Sequence, residues 1–177
     1  MHSRLKVALV LAILLAVVPA VHAADRVVTI YPPGLLQNAL AGEYEWATGY
    51  DSTYAVTVSA TRVASAEVEA TSIAGGFSLR KYLNSQALDG FYLGGGVNVA
   101  SANSVDKTTS ESSNVFLLGI GGRAGYKLHV ADAFIVDLGI NATMPLFASA
   151  SSGDDTSSAI GVGSVDTAVT LGFGFTF

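Results

Sequence analysis

The sequence has no cysteine, and lysine, arginine, aspartate and glutamate together make up only 13% of its 177 residues. Without cysteine, neither a disulfide framework nor a cysteine-linked lipid can form. Beyond residue 23 the chain has one histidine, His129, which excludes a zinc site built from histidine and cysteine ligands. The fold must therefore depend on packing and hydrogen bonding, and we predict no cofactor and no metal ion.

Long apolar runs are also missing, except near the start of the chain. Arg4 and Lys6 precede an unbroken apolar run over residues 7–18, and Val21-His22-Ala23 follows with small residues at the positions that a signal peptidase reads. This order is typical of a secretory signal peptide. The alternative, a membrane anchor, would need an apolar run of about 20 residues. We predict a signal peptide over residues 1–23 and one domain over residues 24–177.

Basic residues are scarce in that domain. It keeps seven of the nine lysines and arginines but all 14 acidic residues, which gives a net charge of about −7. Nucleic-acid binding requires a basic surface. The charge balance therefore excludes nucleic acid as a partner.

The composition is nevertheless strongly apolar, with 50% hydrophobic residues and 19 glycines. After residue 23, no apolar stretch approaches the length of about 20 residues that a helical span requires. Two fold classes remain: a soluble, secreted β-sandwich, and a β-barrel whose outer surface faces lipid.

Alternation near the C-terminal end favours the barrel. Over residues 165–177 every second residue is apolar or nearly so, and the residues between are small or polar. A period of two predicts a strand with two unlike faces, and this run exceeds the length of about five or six residues that soluble strands usually have. Phe173, Phe175 and Phe177 resemble the insertion signal of bacterial outer-membrane barrels, which implies recognition by the barrel-assembly machinery.

The same alternation recurs upstream, and its second face carries glycines, hydroxyls and few charges. Small side chains fit the filled interior of a narrow barrel better than the water-facing side of a sandwich. We predict an all-β, eight-stranded antiparallel up-and-down transmembrane β-barrel, with long polar loops at residues 106–113 and 148–161. The predicted strands are residues 26–31, 38–48, 53–61, 67–83, 90–104, 115–130, 133–147 and 162–177.

Charged residues on the small face would point into a dry interior, where a charge must be paired. We therefore predict that arginine and carboxylate side chains form a network inside the barrel. The alternative is that some of them lie near the strand ends and are solvated. The predicted lumen charge network comprises Glu43, Glu45, Arg80, Arg123, Asp137 and Asp166, with Lys127 as a further candidate.

Three segments resemble a family of small bacterial outer-membrane β-barrel proteins. They are Gly42-Glu43-Tyr44-Glu45-Trp46, the segment from Gly75 to Tyr82 (Gly-Gly-Phe-Ser-Leu-Arg-Lys-Tyr), and Asp89-Gly90-Phe91-Tyr92 with the glycines that follow. The architecture is also similar to the OmpA membrane domain and to the OmpX and OmpW barrels. These relatives imply an eight-stranded barrel but no single shared function. Candidates for interfacial aromatic girdles are Tyr44, Trp46, Tyr54, Phe91, Tyr126 and Phe134.

The lipid A deacylases, which are barrels of similar size, use a His-x-Ser pair; here Val130 and Ala131 follow His129, so we predict that the chain is not an enzyme. Two functions remain. One is a monomeric scaffold of the bacterial outer membrane whose loops meet lipopolysaccharide, host surfaces or other envelope proteins. The other is a narrow channel for small or apolar molecules, which a filled eight-stranded interior disfavours.

Overall fold

The structure is a computed structural model that describes residues 25–32, 39–83, 86–131, 133–152, 155–160 and 163–177. The predicted signal peptide over residues 1–23 lies outside the described residues. So does the part of the chain between Pro32 and Ala39. Within the described ranges there is no helix long and apolar enough to cross a membrane.

Nine β-strands account for most of the described residues, and every pairing between them is antiparallel. The alternating sequence of each segment explains why it forms a strand, because β-branched and aromatic residues occupy one face. The strands are β1 Arg26–Ile30, β2 Ala39–Ala47, β3 Ser52–Ala64, β4 Val68–Tyr82, β5 Gly90–Asp106, β6 Ser112–Ala131, β7 Phe134–Ser152, β8 Asp155–Ile160 and β9 Asp166–Thr176.

The sheet closes on itself. Each strand from β1 to β7 pairs with the next along the chain, β7 also pairs with β9, and β9 pairs with β1. Because neighbours along the chain are neighbours in space, the ring follows an up-and-down order. The all-β, antiparallel part of the sequence prediction is confirmed.

The predicted count of eight strands is wrong, because residues 148–161 are largely strand rather than loop. β8 pairs with the second half of β7, from Phe147 to Ser152, while β9 pairs with the first half, from Phe134 to Thr143. The last predicted strand, residues 162–177, is therefore shorter and begins at Asp166. The other predicted loop, residues 106–113, is shorter than predicted. β5 ends at Asp106 and β6 begins at Ser112, which leaves a tight turn between them. Serine and threonine suggested loops, but alternating small side chains also suit the pleat of a sheet.

The two faces of the ring differ as the alternation predicts. Phe77, Val97 and Ile120 are register partners on adjacent strands, and all three lie exposed on the outer face. Their inward neighbours along the strands are small, such as Gly76, Ser78 and Gly96. Many further large apolar side chains on this outer face are exposed, among them Leu79, Phe91, Leu93, Leu138, Ile140, Val169 and Phe175.

The turn between β4 and β5 closes one end of the ring. Its Ala87 amide donates to the Tyr50 carbonyl across 2.7 Å, and Leu88 is buried against Val27 and Ile135. Gly90 follows with φ of 83°, a left-handed conformation that glycine adopts at little cost. We call this the capped end; the chain enters the ring here at β1 and leaves it here at β9.

A buried charge cluster as the candidate functional site

Six charged side chains meet inside the ring near the capped end, and we call them the charge cluster. β2 supplies two acidic residues, β4 one arginine, β6 an arginine and a lysine, and β7 an aspartate. Each lies on the inward phase of its strand, so the period of two determines their meeting. The members of the charge cluster are Glu43, Glu45, Arg80, Arg123, Lys127 and Asp137.

Arg80 connects the two glutamates of β2. Its Nη1 lies 2.7 Å from Glu43 Oε1 and 2.6 Å from Glu45 Oε2, and its Nη2 also donates to Glu43. Arg80 is only 2% exposed and both carboxylates are fully buried. Paired arginine–carboxylate bonds of this kind combine charge with fixed geometry, which makes them strong.

Arg123 and Lys127 extend the cluster across the interior to β7. The Nη1 of Arg123 lies 3.2 Å from Glu43 Oε2, and its Nη2 lies 3.1 Å from Asp137 Oδ2. Lys127 Nζ contacts Glu45 directly and lies 3.9 Å from carboxylate oxygens of both Glu43 and Asp137. Three cations thus face three anions, so the cluster can remain ionised in a dry interior.

Hydroxyl groups supply further donors to the carboxylates, and the sequence argument did not identify them. Tyr82 Oη donates to Glu45 across 2.6 Å, and Thr53 Oγ1 donates to the same oxygen across 2.5 Å. Tyr92 Oη donates to Asp137 across 2.8 Å. All three residues lie on the inward phase of their strands, so the alternation could have found them had hydroxyl-bearing side chains been counted with the charges.

Replacing Tyr82 with Phe tests the weight of these hydroxyl bonds. The variant keeps the ring but removes a donor to a buried carboxylate, and we expect it to lower the free energy of unfolding by about 1.5–3 kcal/mol. Urea unfolding followed by the fluorescence of Trp46, the single tryptophan, measures the change. Tyr50, at 78% exposure, provides the control, and its change to Phe should shift stability by no more than about 0.5 kcal/mol. Equal losses in both variants would contradict the role given to Tyr82.

Asp166 was predicted in this network, and the structure places it elsewhere. It begins β9 on the inward phase, but it is exposed and pairs in register with Thr143, beyond the level of the cluster. Among the described residues it forms no ion pair within 4.0 Å. The sequence prediction grouped Asp166 with the cluster because strand phase shows which face of the sheet a residue lies on. Strand phase does not show how far along the barrel the residue lies.

Aromatic side chains surround the outer face at the capped end, which is where the girdle candidates lie. Tyr44, Trp46 and Tyr54 form a chain of ring contacts with centroids 5.6 and 5.8 Å apart. Phe91 meets Tyr126 edge-on at 4.6 Å. Phe134 contacts both Phe173 and Phe175, and Phe177 contacts Tyr44, so the three C-terminal phenylalanines belong to the same aromatic band.

His129 lies outside the charge cluster. Its Nδ1 lies 3.2 Å from Asp89 Oδ1 near the rim of the capped end, where both side chains are partly exposed. In the part of the chain that the structure describes, no three histidine, aspartate or glutamate side chains are grouped so that they could hold a metal ion.

The ring and the charge cluster together define a class of protein. It is a closed antiparallel β-sheet, resembling a β-barrel, with an apolar outer face and a polar interior in which three cationic and three anionic side chains meet. A solved structure supports this fold. The N-terminal β-barrel domain of Pseudomonas aeruginosa OprF matches 86% of this chain and 98% of its own length, with a TM-score of 0.55 and 11% sequence identity. A scan against protein-family models and a search of curated proteins found no match.

Proposed function

We propose that this protein is a monomeric β-barrel of a bacterial outer membrane, closed to diffusion, which serves as a structural or interaction scaffold of the envelope. The single observation that carries the membrane location is the outer face of the ring. Exposed leucine, isoleucine, valine and phenylalanine side chains surround it on every strand from β3 to β7 and on β9. Soluble monomers rarely expose apolar patches beyond a few hundred Å².

Lipid explains this surface because a closed ring satisfies its backbone hydrogen bonds internally, as the hydrocarbon region requires. The aromatic band at the capped end fits the interface between hydrocarbon and head groups, where aromatic residues are enriched. Passage to that membrane would use the predicted signal peptide, and insertion would use the barrel-assembly machinery.

The closed state rests on the charge cluster and on the cap formed by Leu88. Together they occupy the interior at the level of Glu45 and Lys127, both fully buried. A solute crossing the ring would have to separate ion pairs in a desolvated site, which is costly. The cost of separating these ion pairs favours a scaffold over an open pore.

The surface for contacts is the end opposite the cap. There β5 and β6 continue as a hairpin to a turn at Asp106, and β7 continues with β8. These extensions expose serine, threonine and asparagine side chains suited to hydrogen bonding with polar partners such as lipopolysaccharide. We propose no enzymatic activity for this surface.

One observation favours the second candidate, a narrow channel for small molecules. Two cavities, of about 300 Å³ and 110 Å³, lie between the end opposite the cap and the arginines Arg80 and Arg123, and Thr57, Asn98 and Thr143 line both, so the interior on this side of the charge cluster is not filled. Rearranged ion pairs would leave a path.

Purified full-length protein distinguishes these functions. We expect a heat-modifiable band on a gel, folding that requires detergent or lipid, and no steady single-channel steps in a planar bilayer. Steady conductance steps would instead establish the channel. A folded monomer in plain buffer, without detergent or lipid, would overturn the membrane location itself.

A further inference from the structure

The larger of the two interior cavities has an apolar wall. This cavity, of about 300 Å³, lies on the side of the end opposite the cap, and we call them the wide cavity and the open end. Inward-facing register partners on β3, β4, β5 and β6 line one wall of it, and they are Ser59, Ala74, Ala100 and Leu117. Leu117 is 37% exposed although it points into the ring. The wall therefore presents apolar surface to the cavity.

An apolar wall is unusual in the interior of a barrel. Lumens that hold only water are lined by polar side chains. Here the apolar lining continues toward the open end with Ala102 and Val115, the next inward-facing register pair on β5 and β6. Pro145 of β7 borders the cavity from another side. A concave apolar surface of this kind is typical of a site that binds a ligand.

The inner end of the wide cavity is polar instead. Thr57, Asn98 and Thr143 lie there, between the apolar wall and the arginines of the charge cluster. Among the described residues, none of these three side chains has a hydrogen-bond partner, and none of their polar atoms is buried from water. One amide and two hydroxyl groups are therefore free to bond with a ligand.

Glycines on the two adjacent strands keep the Asn98 amide in this position. A Cβ atom added at Gly76 would lie 2.6 Å from Asn98 Oδ1, and one added at Gly121 would lie 2.8 Å from Asn98 Nδ2. A methyl group at either position would displace the amide. The sequence thus leaves room for this polar group to lie across the interior at the inner end of the wide cavity.

The charge at the border of the wide cavity determines which ligands fit. Asp166 borders it and is exposed, and among the described residues no cation pairs with this carboxylate. A second negative charge nearby would be repelled. The cations of the cluster do not offset this, because Glu43, Glu45 and Asp137 already pair with them. The site therefore favours uncharged molecules.

We propose that the wide cavity binds an uncharged molecule that has one hydroxyl or carbonyl group and a compact apolar body. A cavity of about 150 Å³ accepts benzene, so one about twice as large has room for a body of about six to ten carbon atoms. The polar group bonds with Asn98 and its neighbouring hydroxyls, and the apolar body packs against Ala100 and Leu117. The inference holds wherever the protein is located and whether or not the ring conducts.

Titration of the folded full-length protein with cyclohexanol tests the proposal, with the methyl signals of Ala100 and Leu117 followed by NMR. We expect both signals to shift and to saturate, with a dissociation constant of about 1–10 mM. The methyl signals of Ile140, on the outer face, report alcohol that only partitions into surrounding detergent or lipid, and they should not saturate. Absence of a saturable shift at Ala100 and Leu117, or an equal response at Ile140, would overturn the site.

Two further probes test the chemical class of the ligand. Inositol, which has the same six-membered ring but no apolar surface around it, should not bind. Cyclohexanecarboxylate should bind more weakly than cyclohexanol, and Asp166→Asn should reduce that difference. Binding of inositol would contradict the apolar body, and equal binding of the carboxylate to the unmodified protein would contradict the restriction to uncharged ligands.

Two alanines provide matched variants. Ala100→Phe fills the wide cavity and should weaken cyclohexanol binding by at least about tenfold. Ala60, a register partner of the exposed Ile73, faces outward, so Ala60→Phe should leave binding unchanged. Equal binding in the two variants would place cyclohexanol elsewhere. The titration of the unmodified protein decides the question even if Ala100→Phe fails to fold.

Discussion

Replacing Arg80 with Met should remove a large share of the stability of the folded ring. The change leaves Glu43 and Glu45 buried without their main partner, and breaking one side of a buried ion pair costs about 3–5 kcal/mol. Lys127 and Arg123 remain nearby, but of these two carboxylates Lys127 hydrogen-bonds only Glu45 and Arg123 only Glu43, whereas Arg80 hydrogen-bonds both. Since domains are usually stable by about 5–15 kcal/mol, the loss is a large share of the total. Urea unfolding in lipid vesicles, with the heat-modifiable gel band as a second measure, gives the change.

Arg62 is the matched control, because it is also an arginine in a strand with one carboxylate partner. Its Nη2 lies 2.6 Å from Glu69 Oε1, but its side chain is 54% exposed. Exposed pairs contribute about 0–1 kcal/mol, so Arg62→Met should have little effect. Similar losses at both positions would show that the charge cluster does not stabilise the ring.

A charge on the outer face tests the proposed membrane location with a comparably large effect. Ile140 lies near the middle of the apolar row on β7 and is 58% exposed. In a water-soluble protein an exposed arginine is harmless, whereas at the middle of a bilayer it destabilises a barrel by about 2–4 kcal/mol. We expect Ile140→Arg to show this loss in vesicle unfolding experiments.

Val130 supplies the comparison for that variant. It is 59% exposed on the outward phase of β6, but it lies near the end of that strand, next to the His129–Asp89 contact at the rim of the capped end. Near the membrane interface the cost of an added arginine falls to about 0–1 kcal/mol. If Ile140→Arg were as stable as Val130→Arg, the outer face would not lie in hydrocarbon.

The sequence alone predicted the faces of the strands well. Side-chain phase in a strand repeats every two residues, so a few apolar positions determine the direction of all the others. This is why alternation was enough to assign Glu43, Arg80 and Arg123 to one interior. The prediction depended on the pattern, not on the identity of neighbouring strands.

Features that depend on a residue's position along the barrel axis, or on irregular backbone, could not be predicted in this way. Asp166 shares the inward phase with the charge cluster but lies beyond it, because strand stagger is not encoded in alternation. The division of the last part of the sheet into β8 and β9 was missed, since serine and threonine occur in both loops and strands. Leu88, which caps the cluster from a turn, belongs to no periodic pattern at all.

The brevity of β1 has a consequence for how the molecule assembles. The pairs from β1–β2 to β7–β8 join consecutive strands, so they can form as local hairpins with little loss of chain entropy, whereas β8 separates β7 from β9 along the chain. The contact between β1 and β9 instead joins Val27 to Thr176, and it extends only from Val27 to Ile30. Few hydrogen bonds therefore compensate for the longest loop in the protein. We therefore expect the junction between β1 and β9 to form late and slowly, because pairing strands so far apart along the chain costs the most chain entropy before any contact is gained.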